Sequence, residues 1–216
     1  MTKKILITGA NGQLGHEMRN ALKGNNRFEC IFTDVAELDI CNAEAVKQII
    51  ADNHIDYIVN CAAYTQVDKA EDNAELCKKI NTDAVENLAR AAADYGARMI
   101  HISTDYVFNG RGYSPYTEDM PPDPQSVYGS TKLEGEKILT DICPESIIIR
   151  TAWLYSPYGN NFVKTMLHLG EEREELSVVA DQIGTPTCAA DLAQAILVIL
   201  QADTFVPGTY HFSDEG

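Results

Sequence analysis

No apolar run in the sequence approaches the roughly 20 residues that a membrane-spanning helix needs. The start is short of apolar length as well. Lys3 and Lys4 are followed by only four residues, Ile5 to Thr8, before Gly9, too few for the core of a secretory signal. Metal-ligand spacing is also missing. The six cysteines, Cys30, Cys41, Cys61, Cys77, Cys143 and Cys188, are scattered with no Cys-x-x-Cys pair. His16, His54, His101, His168 and His211 form no pair at zinc spacing. These gaps argue against a zinc site or a disulfide framework. They lead to the expectation of reduced core thiols in a cytoplasmic protein and of histidines that are structural or on the surface. Positive charge is scarce: 17 Lys and Arg stand against 32 Asp and Glu, for a net charge of -15. That balance disfavours attraction to nucleic acid or an anionic membrane, so any anionic ligand must be held by local donors. No internal repeat or low-complexity linker divides the 216 residues.

What is present is a repeated alternation of short apolar runs and helical patterns. Strands are expected at 3–8, 28–33, 56–60, 98–103 and 146–150, with a helix at 43–52 and a long one over about 67–95 that Gly96 stops. A Gly/Pro/Asp-rich loop at 108–126 precedes a helix carrying Tyr128. Beyond Trp153, a helix near 162–169, a strand at 176–180, a helix at 191–201 and a strand near 210–212 are expected. Such a series implies an α/β fold, a Rossmann-like doubly wound parallel sheet with helices on both faces. The reading divides it into a nucleotide-binding domain at 1–150 and a smaller, incomplete substrate lobe at 151–216, interleaved with the core.

In a doubly wound sheet, ligands bind beyond the carboxyl ends of the strands. The chemistry-bearing residues fall on that rim. Gly9, Asn11, Gly12, Gln13, Leu14 and Gly15 follow the first strand as Gly-x-x-Gly-x-x-Gly and open a helix, a turn able to bring backbone amides against a pyrophosphate. Asp34 ends the second strand, 25 residues after Gly9, where a carboxylate takes ribose hydroxyls and repels a 2'-phosphate. A loop aspartate capping a turn reads the same way. NADH is therefore the expected cofactor, with NADPH tolerated, and Asp39 and Ile40 would lie by the adenine. Ala62, Ala63 and Tyr64 follow the third strand, and Ile102 lies near the end of the fourth, just before Ser103, Thr104 and Asp105.

Tyr128 and Lys132 stand four apart, a spacing that puts both on one helix face. An ammonium beneath the phenol would favour its ionised form and bring a group that titrates near ~10 closer to a useful range. Taken alone, the spacing is common by chance.

Thr8 to Gly15, Thr65 to Glu71, Ser103-Thr104-Asp105-Tyr106-Val107-Phe108-Asn109-Gly110, Tyr128-Gly129-Ser130-Thr131-Lys132 and Asp181-Gln182-Ile183-Gly184-Thr185-Pro186-Thr187 occur in order along the chain. Together they resemble the dTDP-4-dehydrorhamnose reductases of the extended short-chain dehydrogenase superfamily. The resemblance implies reduction of the 4-keto group of dTDP-4-dehydro-6-deoxy-L-mannose to dTDP-L-rhamnose. Tyr128 would be the proton donor, Lys132 would hold the nicotinamide ribose, and Thr104 would bond the same oxygen. It implies that Asp105 and Trp153 touch the sugar nucleotide. It also implies an Mg²⁺ near a homodimer contact in some members, with Glu17 as the matching glutamate here, although Glu17 reads equally as a solvated helix carboxylate. Gly216 falls where the family continues into further strand and helix, which is expected to weaken turnover. Three other readings stay open: a nucleotide-sugar epimerase or dehydratase of the same superfamily, a non-catalytic regulatory subunit with the same fold, and an NADP-specific enzyme.

Overall fold

The structure, a computed structural model, describes residues 2–215. Its strands in chain order are β1 (Lys3–Thr8), β2 (Phe28–Thr33), β3 (Tyr57–Asn60), β4 (Arg98–Thr104), β5 (Ile147–Thr151), β6 (Leu154–Tyr155), β7 (Thr187–Cys188) and β8 (Gly208–His211). Six of them form one sheet in the order β2-β1-β3-β4-β5-β8, and every pairing is parallel. β6 and β7 form a separate small ladder. The order reverses between β1 and β3, so the crevice opens at the carboxyl ends of those two strands.

The helices are α1 (Gln13–Ala21), α2 (Ala43–Asn53), α3 (Val67–Asp72), α4 (Ala74–Lys78), α5 (Ala84–Tyr95), α6 (Val127–Ile142), α7 (Phe162–Glu172) and α8 (Ala189–Gln201). Side-chain caps set three of the starts: Asn42 accepts from the Ala45 amide, Ser126 from Gly129 and Asn161 from Lys164. Gly96, in the left-handed conformation, ends α5.

Alternation along the strands feeds two cores. Leu6, Ile58, Met99 and Ile148 pack on one face with Val46 and Ile50 of α2, Leu88 of α5 and Leu139 of α6. Ile5, Ile7, Val59, Ile100 and Ile149 pack on the other with Leu14 and Met18 of α1 and Leu192 and Ile196 of α8. The last long helix thus covers the same sheet face as the first. Among the described residues no helix is long and apolar enough to cross a membrane.

Two sequence expectations are corrected. The single helix over 67–95 is broken at Asn73 and widens into a π turn at Lys79–Asp83 before α5. The widening pushes the Asn81 carbonyl toward α6, where a Cβ on Gly135 would collide with it. A glycine at 135 is what lets the helices approach. The strand expected at 176–180 does not form. That stretch has no neighbour to pair with, and Val178 and Val179 are left 50% and 66% exposed. β-branched residues make a strand only where another edge receives them.

Candidate active site

The turn after β1 is built by close approach. Gly9 has φ +63°, and a Cβ there would press into the Ala62 backbone at 2.7 Å, so the first turn packs directly on the loop after β3. The Gly12 amide bonds Gly9 O at 3.0 Å. Gly12 gives α1 no side-chain cap, and no acid lies in its first turn. The helix therefore points amides and its positive end into the crevice with nothing from its own first turn opposing an anion.

Asp34 stands beside the turn as expected and also holds it. One carboxylate oxygen accepts from the Asn11 amide at 2.9 Å and the other from Val35 at 2.8 Å, while Glu37 accepts from the Asp34 amide at 2.9 Å. Two carboxylates thus mark the β2 end of the crevice. Asp39 is exposed and accepts from the Cys41 amide, and the Ile40 side chain is buried in the core. Gln13 reaches the opposite way. Its amide donates to Leu154 O at 3.3 Å, and its carbonyl accepts from Asn161 at 2.8 Å and Ser156 at 3.4 Å. It ties the glycine turn to the segment after β6.

Tyr128 and Lys132 lie in the first turns of α6, both buried, Lys132 at 1% exposure. Tyr106 meets the Tyr128 ring edge-on at a centroid distance of 5.6 Å. The lysine Nζ donates to Ile102 O at 2.6 Å and lies 3.2 Å from His101 Nε2. The expected lowering of the phenol by the lysine is not found. Burial pushes Tyr128 up to about 12, with the Thr104 side chain pulling the other way. Burial likewise brings Lys132 down to about 8, opposed by the Glu136 carboxylate one turn along α6. Desolvation outweighs the pairing that the spacing suggested.

Thr104 closes β4, accepts from the Tyr106 amide at 3.2 Å and donates to Asp105 Oδ1 at 3.2 Å. Burial raises the Asp105 carboxyl, with hydrogen bonds from its surroundings opposing. Thr104, Asp105, Tyr106 and Tyr128 therefore converge at one strand end. Behind them lies a buried ion pair, Arg150 to Glu136 at 2.7 Å, and Ser103 also bonds that carboxylate. Trp153 has φ +47°, a conformation bulky residues rarely adopt. A Cβ on Gly184 would come within 3.4 Å of the Trp153 ring, and Phe162 lies tilted beside it at a centroid distance of 6.1 Å, so the Asp181-to-Thr187 turn faces the lone tryptophan.

Ala62 and Ala63 line the loop after β3. Asn81, on the π turn, holds the Tyr64 backbone from both sides, accepting from its amide at 2.8 Å and donating to its carbonyl at 3.1 Å. Glu17 is 7% exposed and accepts from Asn20, and among the described residues no three His, Cys, Asp or Glu side chains converge as metal ligands. The cysteines are free.

Three residues of the site escaped the sequence reading of their roles. His101, taken as structural or superficial, is fully buried against Lys132. Asn60 joins it to β1 and Asn81 props the loop. The available signal was polarity in the wrong place: histidine and asparagine inside apolar strands need partners.

Comparison with known proteins agrees with this layout. The family model described as RmlD substrate binding domain matches residues 3–216. The dTDP-4-dehydrorhamnose reductase of Aggregatibacter actinomycetemcomitans is 44% identical over 216 residues, spanning 98% of this chain and 74% of that protein. The crystal structure of a dTDP-4-dehydrorhamnose reductase from Clostridium acetobutylicum superposes with a TM-score of 0.94 at 50% identity, covering 99% of this chain and 75% of that one. A Bacillus anthracis dTDP-4-dehydrorhamnose reductase, solved in complex with NADP, gives 0.95 at 44% identity over 100% and 76% of the two chains. With a family model matching nearly its whole length and relatives at 44–50% identity, the chain belongs to the RmlD substrate-binding-domain family.

Proposed function

We propose that the chain catalyses NAD(P)H-dependent reduction of the 4-keto group of dTDP-4-dehydro-6-deoxy-L-mannose, giving dTDP-L-rhamnose. The observation that carries this reading is the convergence of the Tyr128 phenol, Thr104 and Asp105 at the end of β4, opposite an uncapped helix start that suits a pyrophosphate. A nicotinamide cofactor bound there would supply the hydride. The chain's own part is to place the keto oxygen against Tyr128, which gives its proton to the oxygen as negative charge develops. Thr104 bonds the same oxygen. A phenol held near 12 keeps its proton at neutral pH, which suits an acid that must be protonated before each reduction. Lys132 holds the ribose beside the phenol, Ala62, Ala63, Tyr64 and Ile102 border the nicotinamide side, and Asp105 and Trp153 hold the sugar nucleotide.

The test is simple. Purified protein given dTDP-4-keto-6-deoxysugars with NADH should consume one NADH per sugar reduced, read as loss of nicotinamide absorbance. Turnover of sugar with no net loss of NADH would overturn the reading in favour of epimerisation or dehydration.

NADH is proposed as the better cofactor, with NADPH accepted, because Asp34 and Glu37 put two carboxylates at the β2 end of the crevice. The NADP bound to the Bacillus anthracis relative supports the acceptance. Asp34→Asn retains an acceptor for the Asn11 amide while removing one charge. The expected result is a rise of about tenfold in the ratio of kcat/KM for NADPH over NADH, equivalent to ~1.4 kcal/mol of relieved repulsion. An unchanged ratio would show that Asp34 only braces the turn. A homodimer and an Mg²⁺ near Glu17 remain part of the proposal by resemblance alone.

A further inference from the structure

We infer that His101 is a positioning residue for Lys132: Asn60 fixes the imidazole with its proton on Nε2, and that N–H, aimed at Nζ, biases the lysine toward the neutral amine. The inference rests on the reading of Lys132 as part of the catalytic pair.

The chain of reasoning starts at a donor that has no choice. The Ala62 backbone N–H can only donate, and it meets Asn60 Oδ1 at 3.2 Å. Thr8 Oγ1 donates to the same oxygen at 2.6 Å. That end of the amide is therefore the carbonyl, and the other end is the NH₂, which lies 3.0 Å from His101 Nδ1. An amide NH₂ only donates, so Nδ1 must be the acceptor, and a neutral ring then carries its proton on Nε2. The ring is neutral because it is fully buried and faces Lys132, which together hold its pKa well below the ordinary 6.5.

Nε2–H then points at Nζ across 3.2 Å, while Nζ already donates to Ile102 O at 2.6 Å. An ammonium would set two donors against each other, whereas an amine takes the imidazole proton on its lone pair. The other titratable groups acting on Nζ are Glu136 on its own helix and Cys77 on α4, with Arg150 of β5 engaged by Glu136. Glu136 favours the ammonium, so His101 and Glu136 pull in opposite senses on a lysine poised near physiological pH. The asparagine on β3 and the threonine on β1 thus reach the catalytic helix through one imidazole.

The experiment uses the full chain with labelled histidine and lysine. The ¹⁵N shifts of His101 should show a bare Nδ1 and a protonated Nε2, and the reverse pattern would overturn the inference. In Asn60→Asp, one carboxylate oxygen can still serve Ala62 and Thr8 while the other accepts from the ring, forcing the proton onto Nδ1. Nε2 then offers a lone pair to Nζ. The Lys132 ¹³Cε titration midpoint should rise by about one pH unit or more, a change of ~tenfold in proton affinity. The basic limb of kcat/KM should move with it. A switched tautomer with an unmoved midpoint would also overturn the inference, and if Asn60→Asp does not fold, the wild-type spectrum decides. A fully active Tyr128→Phe would instead remove the catalytic reading and leave the tautomer result standing.

Discussion

Tyr128→Phe is expected to lower turnover by about 10²- to 10⁴-fold, the range that a positioned general acid contributes. The affinity for NADH should change little. The substitution removes one oxygen from a ring held in place by Tyr106, Tyr64, Val67 and Val127, so the pocket and the helix should survive it. The loss should therefore appear in kcat and kcat/KM together, the pattern of an interaction made in the transition state. Stopped-flow NADH binding and steady-state rates check the two halves separately. A mutant of undiminished rate would end the proposed mechanism, because among the described residues no other phenol shares the end of β4 with Thr104 except Tyr106. Burial raises the Tyr106 phenol too, so the double variant Tyr106→Phe, Tyr128→Phe would settle any substitution of one acid for the other.

The second large effect concerns Lys132, and it has opposite signs in activity and stability. Lys132→Met should abolish most turnover while making the protein harder to unfold at pH 7. Burial lowers the lysine from 10.5 to about 8, a drop corresponding to about 3 kcal/mol against the charged form. Below pH 8 the lysine is charged both folded and unfolded, and the full penalty applies. As pH rises from 8 toward 10.5 the folded chain sheds its proton first, and the penalty fades. Losing the bond to Ile102 O costs about 1 kcal/mol in return. The net expectation at pH 7, without added cofactor, is about 2 kcal/mol of added stability and a Tm raised by about 4–8 °C. The gap from wild type should be widest below pH 8 and should shrink toward pH 10.5. Thermal denaturation across that range reads it directly, and a variant less stable than wild type at pH 7 would refute the claim that this lysine is held at the expense of stability.

Lys132 also marks the limit of what the sequence made legible. That Tyr128 and Lys132 share a face follows from spacing alone, and so does their helix, whose Ser126 cap and apolar positions are local. The sign of the electrostatics does not follow, because it depends on how much water β4, α4 and α6 jointly exclude. The β1 turn was readable for the same local reason, since Gly9 and Gly12 sit between an apolar run and a helical period. The π turn was not, because one residue too many in a helix leaves no mark on propensity, and the room it needs is left by Gly135 on another helix. The absent strand at 176–180 failed in the opposite sense: its β-branched residues were legible, and the missing partner was not. His101 looked like any histidine in a strand until Lys132 was placed beside it by folding.

The sheet's order carries a consequence for how the chain is made. No two neighbouring strands are joined by a hairpin, so every pairing waits for a helix or longer crossover to be completed. β5 ends at Thr151 and its outer neighbour ends at His211, which at about 5–20 residues per second leaves that edge open for about 3–12 s during synthesis. α1 emerges well before α8, yet its apolar residues Leu14 and Met18 are covered by Leu192 and Ile196 of that later helix. A ribosome-bound chain thus displays an unsheltered edge until β8 has emerged and an unsheltered apolar face until α8 has.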